Sequence, residues 1–212
     1  MEKIGKSVNI LLKKIAVTGG LQSGKSTLCR MFQEWGATTV SLDQIVHQLI
    51  SKNKDPHKGL QNEKLIEQIV ALLGEEIKTN GSIDRKKVAD IVFQNPEKLA
   101  ALEALIHPLV RKELLRLYED AKKKKATLFV VEEPLLFELR DSSYQGPFSQ
   151  PNKLIDTNKL IDKGLVGWYD ATIAVTCPEA IAINRSHLDP ADYQRRAKRH
   201  FSQQEKQAQA MF

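Results

Sequence analysis

The sequence predicts an α/β fold in which a parallel sheet is flanked by helices, and three observations carry that expectation. Short β-prone runs at residues 15–18, 37–42, 127–131 and 171–175 are separated by stretches of helical periodicity. The first run leads through a glycine-rich turn directly into a helix, the opening of a βαβ unit. The third is apolar throughout, as a strand covered on both faces must be. A chain of 212 residues holds one such domain with a sizeable core and room for small insertions.

The glycine-rich turn, residues 18–27, reads T-G-G-L-Q-S-G-K-S-T. Gly19, Gly24, Lys25 and Ser26 fit G-x-x-x-x-G-K-[ST], the P-loop pattern. Its glycines let backbone N–H groups turn inward on phosphate oxygens. The lysine reaches the β- and γ-phosphates, the serine hydroxyl holds Mg²⁺, and the following helix adds its dipole. Gly19, Gly20, Leu21, Gln22, Ser23, Gly24, Lys25, Ser26 and Thr27 are therefore the expected nucleotide-phosphate site. The helix after it, from Lys25 to Trp35, stops at Gly36.

The second β-prone run ends at Asp43. Ligands of open α/β sheets bind outside the carboxyl ends of the strands, which makes Asp43 a catalytic candidate. The same position suits the N-cap of a helix over 43–51, and one carboxylate can serve both purposes. From 52 to 125 the pattern is helical: a helix over 60–73, a turn at Asn80-Gly81-Ser82, and a helix over 84–93. A long helix follows, opened by Asn95-Pro96 and expected to kink at His107-Pro108. This run is too long for a simple crossover and reads as a helical insertion at the rim. The third strand leads into Glu132, the acid expected where Mg²⁺ and substrate converge; Glu133 and Glu138 read as ordinary surface acids. Residues 140–167 have loop composition and hold a small tandem repeat, K-L-I-D-T-N then K-L-I-D-K-G. After the fourth strand and Cys177-Pro178, a helix begins at Glu179. Residues 193–207 are rich in arginine and lysine, and three readings fit them: a lid closing on phosphates, a solvated tail, or a nucleic-acid contact.

The net charge of +6 favours anionic ligands, but no helix-turn-helix, zinc-finger or aromatic RNA-binding signature accompanies it. A polyanionic nucleotide accounts for the same charge. Two cysteines without C-x-x-C spacing fit a reducing cytoplasm and read as small packed residues. Five scattered histidines lack ligand spacing, so no zinc site is expected. The N-terminal apolar stretch, broken by Asn9 and closed by Lys13-Lys14, is too short for a signal peptide or membrane span.

Taken together, these motifs resemble the dephospho-CoA kinase family. The family's T-G-G-x-x-S-G-K-S matches residues 18–26, and its D-A-D after the second strand matches Ser41-Leu42-Asp43 in part. Its helical H-P motif matches residues 107–111, and its acid-x-P-L-L-F-E matches residues 132–138. Tyr169-Asp170, the C-P-E at 177–179, Arg185 and R-x-x-R-x-x-S-x-x-E-K at 196–206 are similar to the family's fourth strand and lid. The resemblance runs from about residue 13 to residue 207.

The resemblance implies Mg-ATP-dependent phosphorylation of the 3′-hydroxyl of dephospho-CoA by a cytoplasmic monomer, with no nucleic-acid or membrane partner. Lys25 would hold phosphates, Ser26 the Mg²⁺, and Asp43 would orient or deprotonate the hydroxyl. Arg185, Arg196 and Arg199 would neutralise charge during transfer. His107, Pro108, Arg111 and Glu132, with Asp43, would face the acceptor. One domain is expected, comprising a core (13–52 and 126–185), a substrate-binding insertion (53–125) and a lid (186–207). The sequence departs from the family pattern at Gln22, expected to crowd the loop, at Ser41, at His47 and at Glu132. The 140–167 excursion is longer than the family's connection, and a final strand is expected to be missing after Phe212. Three readings compete: another small-molecule or nucleoside monophosphate kinase, a degenerate non-catalytic nucleotide-binding protein, and a basic nucleic-acid binder.

Overall fold

The computed structural model describes residues 11–51, 63–138, 165–198 and 200–212. The chain divides into two compact units. One comprises Met1–Thr39, Tyr118–Pro134 and Trp168–Phe212; the other comprises Val40–Leu117 and Leu135–Gly167.

The first unit is built on strands β1 (Lys13–Gly19), β5 (Leu128–Glu132) and β6 (Ala171–Val175), joined by β2 (Thr38–Ser41) in the order β2-β5-β1-β6. β1 runs parallel to β5 and β6, with Ala16 opposite Val131 on one side and Thr172 on the other. An interior strand covered on both faces has no wet side, and Ala16, Val17 and Thr18 are fully buried. Helix α1 (Lys25–Glu34) packs Cys29 against Val17, Ala37 and Val130. At the other end of the sheet, Phe129 meets the rings of Tyr118 and Trp168 edge-on at 5.5 and 6.3 Å. Such pairs add about 1 kcal/mol each beyond the area they bury. Lys14 lies 5.8 Å over the Trp168 ring and pairs with Asp170 at 3.0 Å.

The edge of β6 is occupied for one residue. Phe212 N donates to Thr172 O at 3.2 Å and Ala174 N donates to Phe212 O at 2.8 Å, the slanted pattern of a parallel strand.

In the second unit, α2 (Leu42–Ile50) follows β2 directly. Helix α3 (Glu63–Leu73) buries Leu65, Ile69 and Leu73 along one face and ends at Gly74. The expectation of an all-helical stretch is corrected by a hairpin of β3 (Lys78–Thr79) and β4 (Ser82–Ile83). Asn80 and Gly81 both take positive φ, 52° and 72°, and those angles let a two-residue loop follow the right-handed twist of paired strands. Helix α4 (Arg85–Val92) is capped by Asp84, whose carboxylate accepts from Lys86 N and Lys87 N. The long helix α5 (Pro96–Lys123) opens on Asn95, whose side chain accepts from Lys98 N at 3.0 Å, and continues through Pro108.

Helix α2 groups with the second unit, and the end of α5 from Tyr118 groups with the first. Helical periodicity reports which face is buried but not against which body. The start of the 60–73 helix, the 140–164 part of the excursion with its tandem repeat, and Arg199 lie outside the described residues. No helix among the described residues is long and apolar enough to cross a membrane.

Candidate functional site

The loop between β1 and α1 is shaped by its glycines. Gly19 has φ 149°, and a Cβ there would lie 2.2 Å from Val175 O and 2.7 Å from Ser23 Oγ. Gly24 is the left-handed N-cap of α1, at φ 106°. Neither position tolerates a side chain without moving backbone. Gly19→Ala is expected to destabilise the protein by on the order of 3 kcal/mol and to weaken ATP binding, because the obstructing atom is a carbonyl of β6. Urea unfolding checks the first effect and nucleotide titration the second; an unchanged midpoint would show that β6 yields.

Gln22 does not crowd the loop. It is exposed with φ 56°, so the strain sits in its backbone while its side chain stays clear. The loop and helix are chemically prepared for an anion. No side chain caps the first turn of α1, and no acid lies in that turn, which leaves its N–H groups for a ligand. Ser23 Oγ is buried without a hydrogen-bond partner among the described residues. Lys25 is buried, and its ammonium donates to Gly20 O at 2.7 Å, poised over the loop floor.

Ser26 Oγ donates to Glu132 Oε1 at 2.7 Å, joining the start of α1 to the end of β5. A hydroxyl and a carboxylate oxygen in contact beside a phosphate loop are the hard donors that Mg²⁺ prefers, with phosphates and water completing its shell. Burial, with the Glu132 charge adding to it, pushes the Cys29 thiol up to about 12, so Cys29 is a packed residue as expected.

Glu133 corrects the expectation of a surface acid. Glu132 ends a strand whose neighbours cover both faces, so the next side chain turns inward. Glu133 is only 1% exposed, its N–H donates to Val17 O at 2.9 Å, and its carboxylate accepts from Tyr169 OH at 2.7 Å. Glu138, the other expected surface acid, is half-buried.

Sequence reasoning missed the residues that support the loop from behind. Tyr193, buried on α7 (Pro190–Ala197), donates to Leu21 O at 3.4 Å and ties the helix carrying Arg196 to the phosphate loop. Cys177 Sγ lies 3.8 Å from Gln22 O. Gln203, on α8 (Gln203–Gln209), accepts from Cys177 N at 2.8 Å and donates to Cys177 O at 2.6 Å. Beside them opens a cleft of about 500 Å³ lined by Thr176, Cys177, Pro178, Glu179, Ser202 and Gln203. Arg185, in the last turn of α6 (Glu179–Ser186), and Arg196 are both exposed. Lys206 is not an exposed lid cation: it is fully buried and donates to Pro134 O at 2.5 Å. Lys206 ends the R-x-x-R-x-x-S-x-x-E-K stretch, but neither that pattern nor the glutamines signal burial, which only their tertiary partners reveal.

The remaining predicted residues belong to the second unit. Asp43 is exposed in the first turn of α2, whose N-cap is Ser41, so the N-cap reading of Asp43 is corrected. β2 ends two residues before Asp43, and the helix starts at Leu42. Pro108 is exposed, while His107 and Arg111 are half-buried one turn apart on α5. Burial, with the Arg111 guanidinium adding repulsion, pushes the His107 imidazole down from 6.5 to about 4. The unfolded chain therefore binds the proton first on acidification. Stability from neutral His107 is fully present above pH 6.5 and is lost as pH falls toward 4. The loss is at most about 3 kcal/mol. Unfolding free energies at pH 4.5 and 7 check this; His107→Gln should flatten that slope.

Residues 13–147 match the family model for dephospho-CoA kinase. The chain is 31% identical over 205 residues to the dephospho-CoA kinase of Protochlamydia amoebophila, covering 94% of this chain and 85% of the relative. It is 31% identical over 208 residues to that of Chlamydia abortus, with the same coverage. Among solved structures, TT1252 from Thermus thermophilus superposes with a TM-score of 0.68 at 28% identity, over 94% of this chain and 85% of that one. A dephospho-CoA kinase from Campylobacter jejuni superposes with a TM-score of 0.53 at 22% identity, a likeness of fold, over 95% and 87%.

Proposed function

This chain belongs to the dephospho-CoA kinase family, and from that premise we propose how its residues carry the transfer of a phosphoryl group from ATP to the 3′-hydroxyl of dephospho-CoA, the step that completes coenzyme A. The observation that carries the assignment is the Ser26–Glu132 contact at the mouth of the loop, which puts an oxygen pair beside the phosphate cradle. The loop amides of residues 19–27 hold the phosphates, with Lys25 on the β- and γ-groups. Ser26 and Glu132 are the protein donors for Mg²⁺, which when bound offsets the phosphate charge. Asp43 orients the attacking hydroxyl or accepts its proton, and Arg185 and Arg196 neutralise charge that develops on the transferring group. His107, Pro108 and Arg111 contact the acceptor. The cleft beside Cys177 and Gln203 takes the adenine base, since it opens next to the loop and offers amide partners. We place the enzyme in the cytoplasm as a monomer; Cys29 and Cys177 are both free thiols, in keeping with a reducing compartment.

Incubation with Mg-ATP and either dephospho-CoA or a panel of nucleoside monophosphates, with ADP release as readout, tests the reading. Turnover confined to a monophosphate would overturn it. ATP binding without any turnover would favour a non-catalytic nucleotide-binding protein.

A further inference from the structure

Lys206 is a charged side chain with no exposed surface, and withdrawing an ammonium from water costs several kcal/mol unless polar partners replace the water. Its ammonium donates to Pro134 O at 2.5 Å, and Thr18 Oγ1 donates to the same carbonyl at 3.3 Å. Pro134 opens the turn that follows β5, so this carbonyl lies two residues from Glu132, whose carboxylate meets Ser26. One turn earlier on α8, Gln203 grips both backbone groups of Cys177, at the exit of β6. A methyl group added to Gly20 would touch Gln203 Cγ at 3.7 Å, so the same side chain lies against the phosphate loop. Through two side chains, α8 therefore holds three segments that end at one rim: the loop after β1, the turn after β5 and the loop after β6.

We propose that Lys206 is a positioning residue for the reaction, holding the exit of β5 at Pro134 so that the Glu132 carboxylate stays on Ser26. Lysine suits the task because its unbranched stem passes through a packed interior and delivers compact donors at its tip. The proposal rests on the reading of Ser26 and Glu132 as the Mg²⁺ donors. It predicts that removing the ammonium weakens the use of the metal more than the binding of the nucleotide itself.

The test compares binding of a fluorescent ATP analogue in Mg²⁺ and in EDTA, for wild type, Lys206→Met and Lys206→Arg. This readout does not involve the acceptor, so absence of dephospho-CoA turnover would count against the proposed function and leave this experiment standing. For Lys206→Met, the gain in affinity that Mg²⁺ gives should fall about tenfold, the usual effect of removing a residue that orients a metal ligand. Metal-free affinity should change less than about twofold, since the loop amides are untouched. Lys206→Arg should recover part of the gain. Equal weakening in both buffers would mean a merely structural lysine and would overturn the proposal, as would an unchanged gain. If Lys206→Met does not fold, Thr18→Val decides, because it removes the second donor to Pro134 O without removing a charge; an unshifted gain there would also overturn it.

Discussion

Replacing Lys25 with alanine or methionine is expected to lower the phosphoryl-transfer rate about a thousandfold, the loss typical of a donor that stabilises transition-state charge. Lys25 opens α1, its stem is buried, and its ammonium is held inside the loop by Gly20 O. The charge is thus positioned before substrate arrives and needs little reorganisation as negative charge shifts across the phosphates. Methionine is the sharper test because it keeps the buried stem. Single-turnover ADP formation measures the rate, and the thermal midpoint separates it from a folding defect. A Lys25→Met enzyme with near-wild-type turnover would remove Lys25 from the mechanism.

Asp43→Asn is expected to lower kcat by about a hundredfold to ten-thousandfold, the range for a lost general base. Asp43 is exposed in the first turn of α2, where an acid gains only about 0.5 kcal/mol from the helix dipole. Stability should therefore hardly change, and the two readings of Asp43 separate cleanly. A fall in kcat at constant midpoint supports the role at the acceptor hydroxyl. A small drop in midpoint with full activity leaves Asp43 as a helix-start residue only.

The fold was largely legible because its signals are local. The run ahead of Gly19, the break at Gly36 and the apolar 128–131 segment each follow from a few neighbouring side chains, and the strands formed there. The turn ahead of α1 was legible for the same reason: Gly19 and Gly24 are demanded by backbone angles and, at Gly19, by close approach, which any chain making this turn must meet. The hairpin at 78–83 was recognised only as a turn. Two-residue strands are too short to show alternation, although Asn80-Gly81 is a strong hairpin signal.

By itself, the sequence determined the α/β class, the glycine-shaped turn between β1 and α1, and the presence of an acid at the end of the third predicted strand. It could not determine which polar side chains lie inside, because burial depends on what arrives from distant parts of the chain. Glu133 looked like its neighbour Glu132, yet one turns to Tyr169 in the interior and the other to Ser26. Lys206 looked like one more cation in a basic stretch, yet its helix packs against β1 and β6 and its ammonium ends on Pro134 O, out of water. Local chemistry fixes the turn and its glycines; only the assembled sheet decides which charges are withdrawn from water.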